Sequence, residues 1–217
     1  MAVIKRLFGR FRAARQSGKK DEGKDHPSIH WVVAGLGNPG AEYARSRHNA
    51  GFMTVDRLAR RAGVEIGRRR FKGMTGEITL VEKPAIVVKP QTFYNLSGEC
   101  VSDLLGYFKI PAERLIVVHD EMDIAAGRLR IKQGGGDAGN RGVRGIAEAL
   151  GTVEFLRVRI GVGRPPEGDE SKDYLLRPMS AAELEKFAST VDRAANAVEA
   201  IAALGLEPAM NRFNQRP

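Results

Sequence analysis

A single cysteine, Cys100, stands in the whole chain of 217 residues. No internal disulfide can form, and the composition fits a reducing, cytoplasmic setting. Cys100 lies within the helical pattern GECVSDLLGYF, where a buried structural thiol is the expected outcome and a nucleophile is not. Long apolar runs are missing as well. None approaches the roughly 20 residues that a helix needs to cross a bilayer. The chain carries no G-x-S-x-G elbow, which removes the strand-to-helix serine nucleophile. Histidine is scarce, with four in all. The run His119-Asp120-Glu121 with Asp123 resembles a metal site only on paper. Consecutive strand residues point to opposite faces, and no second cluster at ligand spacing supports it. Neither a metal nor an organic cofactor is expected.

What remains is ordinary globular material: 42% hydrophobic and 28% charged residues, in a length that suits one substantial core. The formal net charge of +9 is unevenly spread. Residues 1–28 hold eight Lys or Arg against three Asp or Glu, leaving 27 against 23 for the rest. The excess favours an anionic partner, nucleic acid first and a membrane surface second. Within residues 1–16, Ile4, Leu7, Phe8 and Phe11 recur at helical spacing among Lys5, Arg6, Arg10 and Arg12, the pattern of a basic amphipathic helix. A polar, turn-rich linker follows, SGKKDEGKDHPS. This extension reads as a tether to RNA or a membrane surface, as an organelle import segment, or as a flexible tail without a sharp role.

From residue 29 to 217 strands and helices alternate. Strand-like runs are IHWVVAG, GEITLVE, AIVVKP, RLIVVHD, GRLRIKQ and FLRVRIGVG, and helical patterns occupy about 50–62, 98–108, 141–150 and 180–204. The last opens on the capping box Ser180-Ala181-Ala182-Glu183 and closes at Gly205. Such alternation specifies one α/β domain, a sheet with helices on its faces.

GLGNPG at 35–40, directly after a strand, has the letters of a dinucleotide-binding turn. The physics does not follow. That turn needs free N–H groups at the start of a helix, and Pro39 removes one. It also needs an acidic residue at the end of the next strand, whereas Asp56 falls inside a helical pattern. The second glycine cluster, GGGDAGNRG at 134–142, lacks the Lys-Ser/Thr pair of a phosphate loop.

Four polar constellations sit at strand ends, where α/β sheets place ligands. They are Asn38 with Tyr43 and Arg47-His48-Asn49; Thr92-Phe93-Tyr94-Asn95; His119-Asp120-Glu121 with Asp123; and Asn140-Arg141. With no side-chain nucleophile in view, the chemistry points to water activated by a base, for which histidine is best suited near neutral pH. His48 lies in a polar loop with no apolar surroundings to explain it. Asp120 closes a strand, faces away from His119, and so would serve a histidine from elsewhere. The side-chain amides of Asn38 and Asn95 can hold a carbonyl and its developing oxyanion, or simply form local turns. Phe93 and Tyr94 offer a flat apolar surface, or core packing.

These residues carry a resemblance. GLGNPGAEYARSRHNAGF, KPQTFYNLSG, VVHDEMDIAAGRLRIKQGGGDAGNRG and FLRVRIGVGRP, in this order and spacing, closely resemble bacterial peptidyl-tRNA hydrolases. The likeness runs from about residue 31 to 213. It implies a monomer with a twisted mixed sheet, and metal-free hydrolysis of the ester joining a peptide to the 3′ ribose of tRNA. It further implies His48 as general base, Asp120 as its supporting carboxylate and Asn38 as the residue that helps tell blocked from free aminoacyl-tRNA. Tyr43, Phe93 and Asn95 match tRNA- or peptide-contacting positions, with Tyr94 beside them.

One site departs from the pattern. Where the family often reads G-H-N-G, this chain reads Gly139-Asn140-Arg141-Gly142. Arg141 thus stands in place of an asparagine thought to position substrate and water. Arginine keeps N–H donors but accepts no hydrogen bond. Arg128, Arg130 and Lys132 alternate on one strand, Arg157 and Arg159 on another. Lys132 and Arg157 match positions of a phosphate clamp for the acceptor stem, against the alternative of a solvated edge. Two rivals remain on sequence grounds: an RNA-binding protein of this fold without hydrolysis, similar to chloroplast intron-splicing factors, and an interaction module anchored through residues 1–16.

Overall fold

The computed structural model describes residues 28–215. The expected amphipathic helix at 1–16 and nearly all of its linker lie outside the described residues. The sheet has seven strands: β1 Trp31–Gly35, β2 Arg68–Arg70, β3 Gly73–Leu80, β4 Lys83–Pro90, β5 Leu115–Glu121, β6 Leu129–Gln133 and β7 Leu156–Gly161. Their spatial order is β2-β3-β4-β1-β5-β7-β6. The four central strands β4, β1, β5 and β7 are parallel, and antiparallel pairings complete both edges.

The helices are α1 Ala50–Arg61, α2 Ser97–Phe108, α3 Arg141–Leu150, α4 Ser171–Leu176, α5 Ala181–Leu204 and α6 Leu206–Phe213. Central strands flanked on both faces are mainly apolar, and β1 and β5 are buried at every position, β5 turning polar only at its carboxyl end, His119-Asp120-Glu121. Alternation then divides their side chains between two cores. Val33, Ile116 and Val118 pack with α1, α5 and α6, while Val32, Ala34, Leu115 and Val117 pack with α2 and α3. Each buried Val or Leu contributes about 1.5–3 kcal/mol, so these two layers hold the domain.

The expected α/β class, the six strand runs and the four helical patterns are all present. Cys100 is fully buried in the α2 core, and burial pushes its thiol up to about 12, which fits a structural thiol. Asp56 lies on α1 and pairs with Lys89 at 2.7 Å, far from any nucleotide role.

Candidate active site

The chain leaves β1, crosses to the edge strand β2, comes back through β3 to β4 beside β1, and then passes to β5 on the other side of β1. That reversal opens a crevice at the carboxyl ends of the strands, the usual ligand position of such sheets. Here lies a cleft of about 890 Å³.

The GLGNPG turn carries Asn38 from β1 to this cleft. Its first glycine serves contact between main chains. A Cβ on Gly35 would lie closer than 3.0 Å to the Gly51 carbonyl, and a Cβ on Gly51 equally close to Leu36 N and Val118 O. The two glycines let the start of α1 press against the ends of β1 and β5. Asn49, nearly fully buried just before α1, binds Asn38 at both main-chain groups. Its Oδ1 accepts from Asn38 N at 2.8 Å and its Nδ2 donates to Asn38 O at 3.0 Å.

His48 lies in the 3-10 turn Arg47–Asn49, one residue before Asn49. Its Nδ1 is 2.9 and 3.0 Å from the two carboxylate oxygens of Asp120. Asp120 is the penultimate residue of β5 and its side chain is only 3% exposed, against 15% for that of His48. A carboxylate at this distance requires the proton on Nδ1, which leaves Nε2 as a free acceptor. Tyr94 lies flat on the imidazole, with ring centroids 3.8 Å apart and planes 20° off parallel. Its hydroxyl is 3.2 Å from Asp120 Oδ1 and 2.9 Å from Asn140 Nδ2. Burial, then the nearby Asp120 charge, raise the Tyr94 phenol well above its ordinary range, so it stays protonated.

Flanking residues lock the turn that carries His48. Arg47 is buried, pairs with Glu183 of the α5 capping box, and lies 4.3 Å over the Tyr174 ring. The neighbouring His119 faces the other core, as strand alternation requires. It is fully buried, donates through Nδ1 to Asp120 O at 2.8 Å, and is held neutral by burial, which lowers its pKa to about 4.

The structure therefore brings Asn38, Tyr43, His48, Phe93, Tyr94, Asn95, Asp120 and Arg141 to one cleft, although the sequence scatters them over more than a hundred positions. Phe93 stands at the rim, 79% exposed. Lys132 and Arg157 do not line the cleft. Arg157 corrects the expectation of an open phosphate clamp. It is 1% exposed, and its guanidinium donates to the carbonyls of Gly134, Gly135 and Gly136. The glycine-rich segment folds back over the strand and takes up both terminal guanidinium nitrogens that alternation alone leaves free. Lys132 stays half-buried beside it, its pKa lowered by burial and by Arg157 and Arg159. Arg159 is likewise engaged, with Glu121 at 3.1 Å.

Arg141 also sits differently from a simple stand-in for asparagine. It is the exposed first residue of α3, at the cleft wall, while the amide that reaches inward belongs to Asn140. Asn140 stood in a polar constellation with Arg141 but was given no role of its own. Met122, Lys172, Leu175 and Leu176 are further cleft residues that sequence reasoning left out, whereas Asn49 and Glu121 stood in its polar constellations without an assigned role. Asn49 carried a signal, standing next to His48 in a polar run. The α4 leucines carried none, because six residues are too few to show a period.

Among the described residues, no group of three or more His, Cys, Asp or Glu is arranged to hold a metal ion. The model of the peptidyl-tRNA hydrolase family matches residues 32–217.

The chain belongs to the peptidyl-tRNA hydrolase family.

The peptidyl-tRNA hydrolase of Frankia alni is 48% identical over 184 residues, covering 85% of this chain and 93% of that protein. The one from Trichlorobacter lovleyi is 45% identical over 185 residues, 85% of this chain and 95% of its own length. Among solved structures, the peptidyl-tRNA hydrolase of Acinetobacter baumannii superposes with a TM-score of 0.78 at 32% identity, covering 88% of this chain and 97% of that one. The mixed sheet flanked by helices is thus the fold of the peptidyl-tRNA hydrolases.

Proposed function

We propose that this peptidyl-tRNA hydrolase cleaves the ester between a peptidyl group and the 3′ ribose of tRNA, using water activated by His48. The observation that carries the reading is the 2.9 Å bond from His48 Nδ1 to the buried Asp120 carboxylate at the floor of a cleft. Nε2 is then a lone-pair base facing solvent. It takes a proton as water attacks the ester carbonyl, and Asp120 stabilises the imidazolium formed. The amides of Asn38 and Asn95 receive the oxyanion. The imidazolium returns its proton to the ribose 3′ oxygen as the tetrahedral species collapses, so charge and protons balance. Tyr43, Phe93 and Arg141 contact the peptide or the 3′ end, and Lys132 meets a backbone phosphate. In this reading the chain acts as a cytoplasmic monomer that recycles tRNA released prematurely from ribosomes, with peptidyl-tRNA as its partner.

The test is release of N-acetyl-aminoacyl product from blocked tRNA in the presence of a chelator. Wild type turns over, and His48→Ala loses about 10²–10⁴-fold in kcat. Full activity in His48→Ala would overturn the mechanism. A wild type that binds tRNA without hydrolysing it would overturn the function.

A further inference from the structure

Tyr94 arrives from the sequence as a substrate contact and Asn140 as a member of the Asn140-Arg141 constellation without a role of its own. The hydrogen bonds around them allow only one arrangement of protons. Asn140 is the N-cap of α3, and its Oδ1 accepts from Gly142 N and Val143 N, both at 3.1 Å. Only an oxygen can accept two N–H groups, so the cap fixes which end of the amide points inward. The inward end is Nδ2, a donor, 2.9 Å from the Tyr94 hydroxyl. The phenol oxygen accepts there, and its own proton is turned toward Asp120 Oδ1 at 3.2 Å. Asp120 Oδ1 thereby accepts from both the Tyr94 hydroxyl and His48 Nδ1–H.

We infer that Asn140 and Tyr94 are positioning residues of the catalytic pair. They carry the polarity of the first N–H groups of α3 through two side chains onto Asp120, and so hold the His48 proton on Nδ1 and the Nε2 lone pair toward the water. The Tyr94 ring adds a mechanical restraint, because a stacked plane at 3.8 Å leaves the imidazole little freedom to rotate out of line. Neither residue need touch the substrate in the step that matters. The inference rests on the hydrolase reading above and deepens it.

Tyr94→Phe keeps the stacked ring and removes the hydroxyl. With blocked tRNA as substrate, kcat is expected to fall roughly tenfold with KM unchanged, the scale of one charge-assisted hydrogen bond lost beside the base. Asn140→Ser preserves an N-cap oxygen without a donor that reaches Tyr94. It is expected to lower kcat similarly, and the double variant to be no worse than Tyr94→Phe alone, because both cut one chain. The downfield proton resonance of His48 Nδ1–H reads the same bond without turnover and should shift in both variants. Thermal unfolding of each variant checks that the fold is kept. A Tyr94→Phe enzyme with wild-type kcat, raised KM and an unmoved resonance would overturn the inference and return Tyr94 to the substrate surface. Strictly additive losses would also overturn it. If wild type itself failed to hydrolyse blocked tRNA, the hydrolase reading would fall instead, and the proton resonance would still decide whether the chain of bonds exists.

Discussion

At the scale of single residues, the site depends on asparagines used for opposite ends of the same amide. Asn49 is the clearest case, closing both main-chain groups of Asn38 while standing next to His48. It couples the Asn38 turn to the turn that carries His48. Asn49→Ala leaves the Asn38 N–H and C=O without partners in a partly buried place, which costs about 1–3 kcal/mol. The Asn38 turn is then free to drift relative to His48, and a displacement of an ångström is worth on the order of 10²-fold in rate. A thermal melt measures the first effect and kcat on blocked tRNA the second. A fall in stability with normal kcat would mean that Asn38 needs no such anchor.

At the scale of elements, the start of α5 does more than open a helix. Ser180 and Glu183 cap it reciprocally, and Glu183 also holds Arg47 beside the His48 turn. The Ser180 N–H and hydroxyl, with Arg47 adding to them, depress the Glu183 carboxyl from an ordinary 4.5 to about 2. A depressed folded pKa gives stability that is complete above the unfolded value and disappears as pH falls through the folded one. The Glu183 contribution is therefore full above about pH 4.5 and lost between there and about pH 2. Glu183→Gln should lower Tm at pH 7 and converge with wild type toward pH 2, as read from melts across that range. Parallel melts at all pH values would show that the carboxylate charge is not what matters.

Much at this scale was legible, because buried parallel strands and amphipathic helices write their periods directly into Val33, Val118, Leu58 or Val198. What escaped has physical reasons. β2 is three arginines and exists only because β3 pairs with it. α6 follows Gly205 and carries Pro208 in its first turn, where proline is tolerated but resembles a terminator. Alternation alone showed that Asp120 faces away from His119 and serves a histidine from elsewhere, and the family resemblance implied that this histidine is His48. The engagement of Arg157 was not, since it depends on where a glycine loop folds and no local pattern encodes that.

At the scale of the whole molecule, the basic residues of the β6–β7 edge separate into two kinds. Arg157 is enclosed by carbonyls, whereas Lys132 keeps part of its surface open to solvent. Arg157→Ala should therefore act first on the fold, removing donors from three main-chain carbonyls and costing about 1–3 kcal/mol in a denaturant titration. Lys132→Ala should leave stability nearly unchanged and reduce the slope of log affinity for tRNA against log salt by roughly 1. A reversed pattern, with stability lost at Lys132 and only salt sensitivity lost at Arg157, would restore the open clamp.

The cleft also straddles the sheet. His48 and Asn49 arrive with α1 from the layer shared with α5 and α6, whereas Tyr94 and Asn140 arrive with α2 and α3 from the opposite layer. The two groups meet only at the end of β5. Only with both layers docked do His48, Tyr94 and Asn140 come together around Asp120. Under the proposed mechanism, hydrolysis therefore depends on both cores at once, and damage to either layer reaches the same carboxylate.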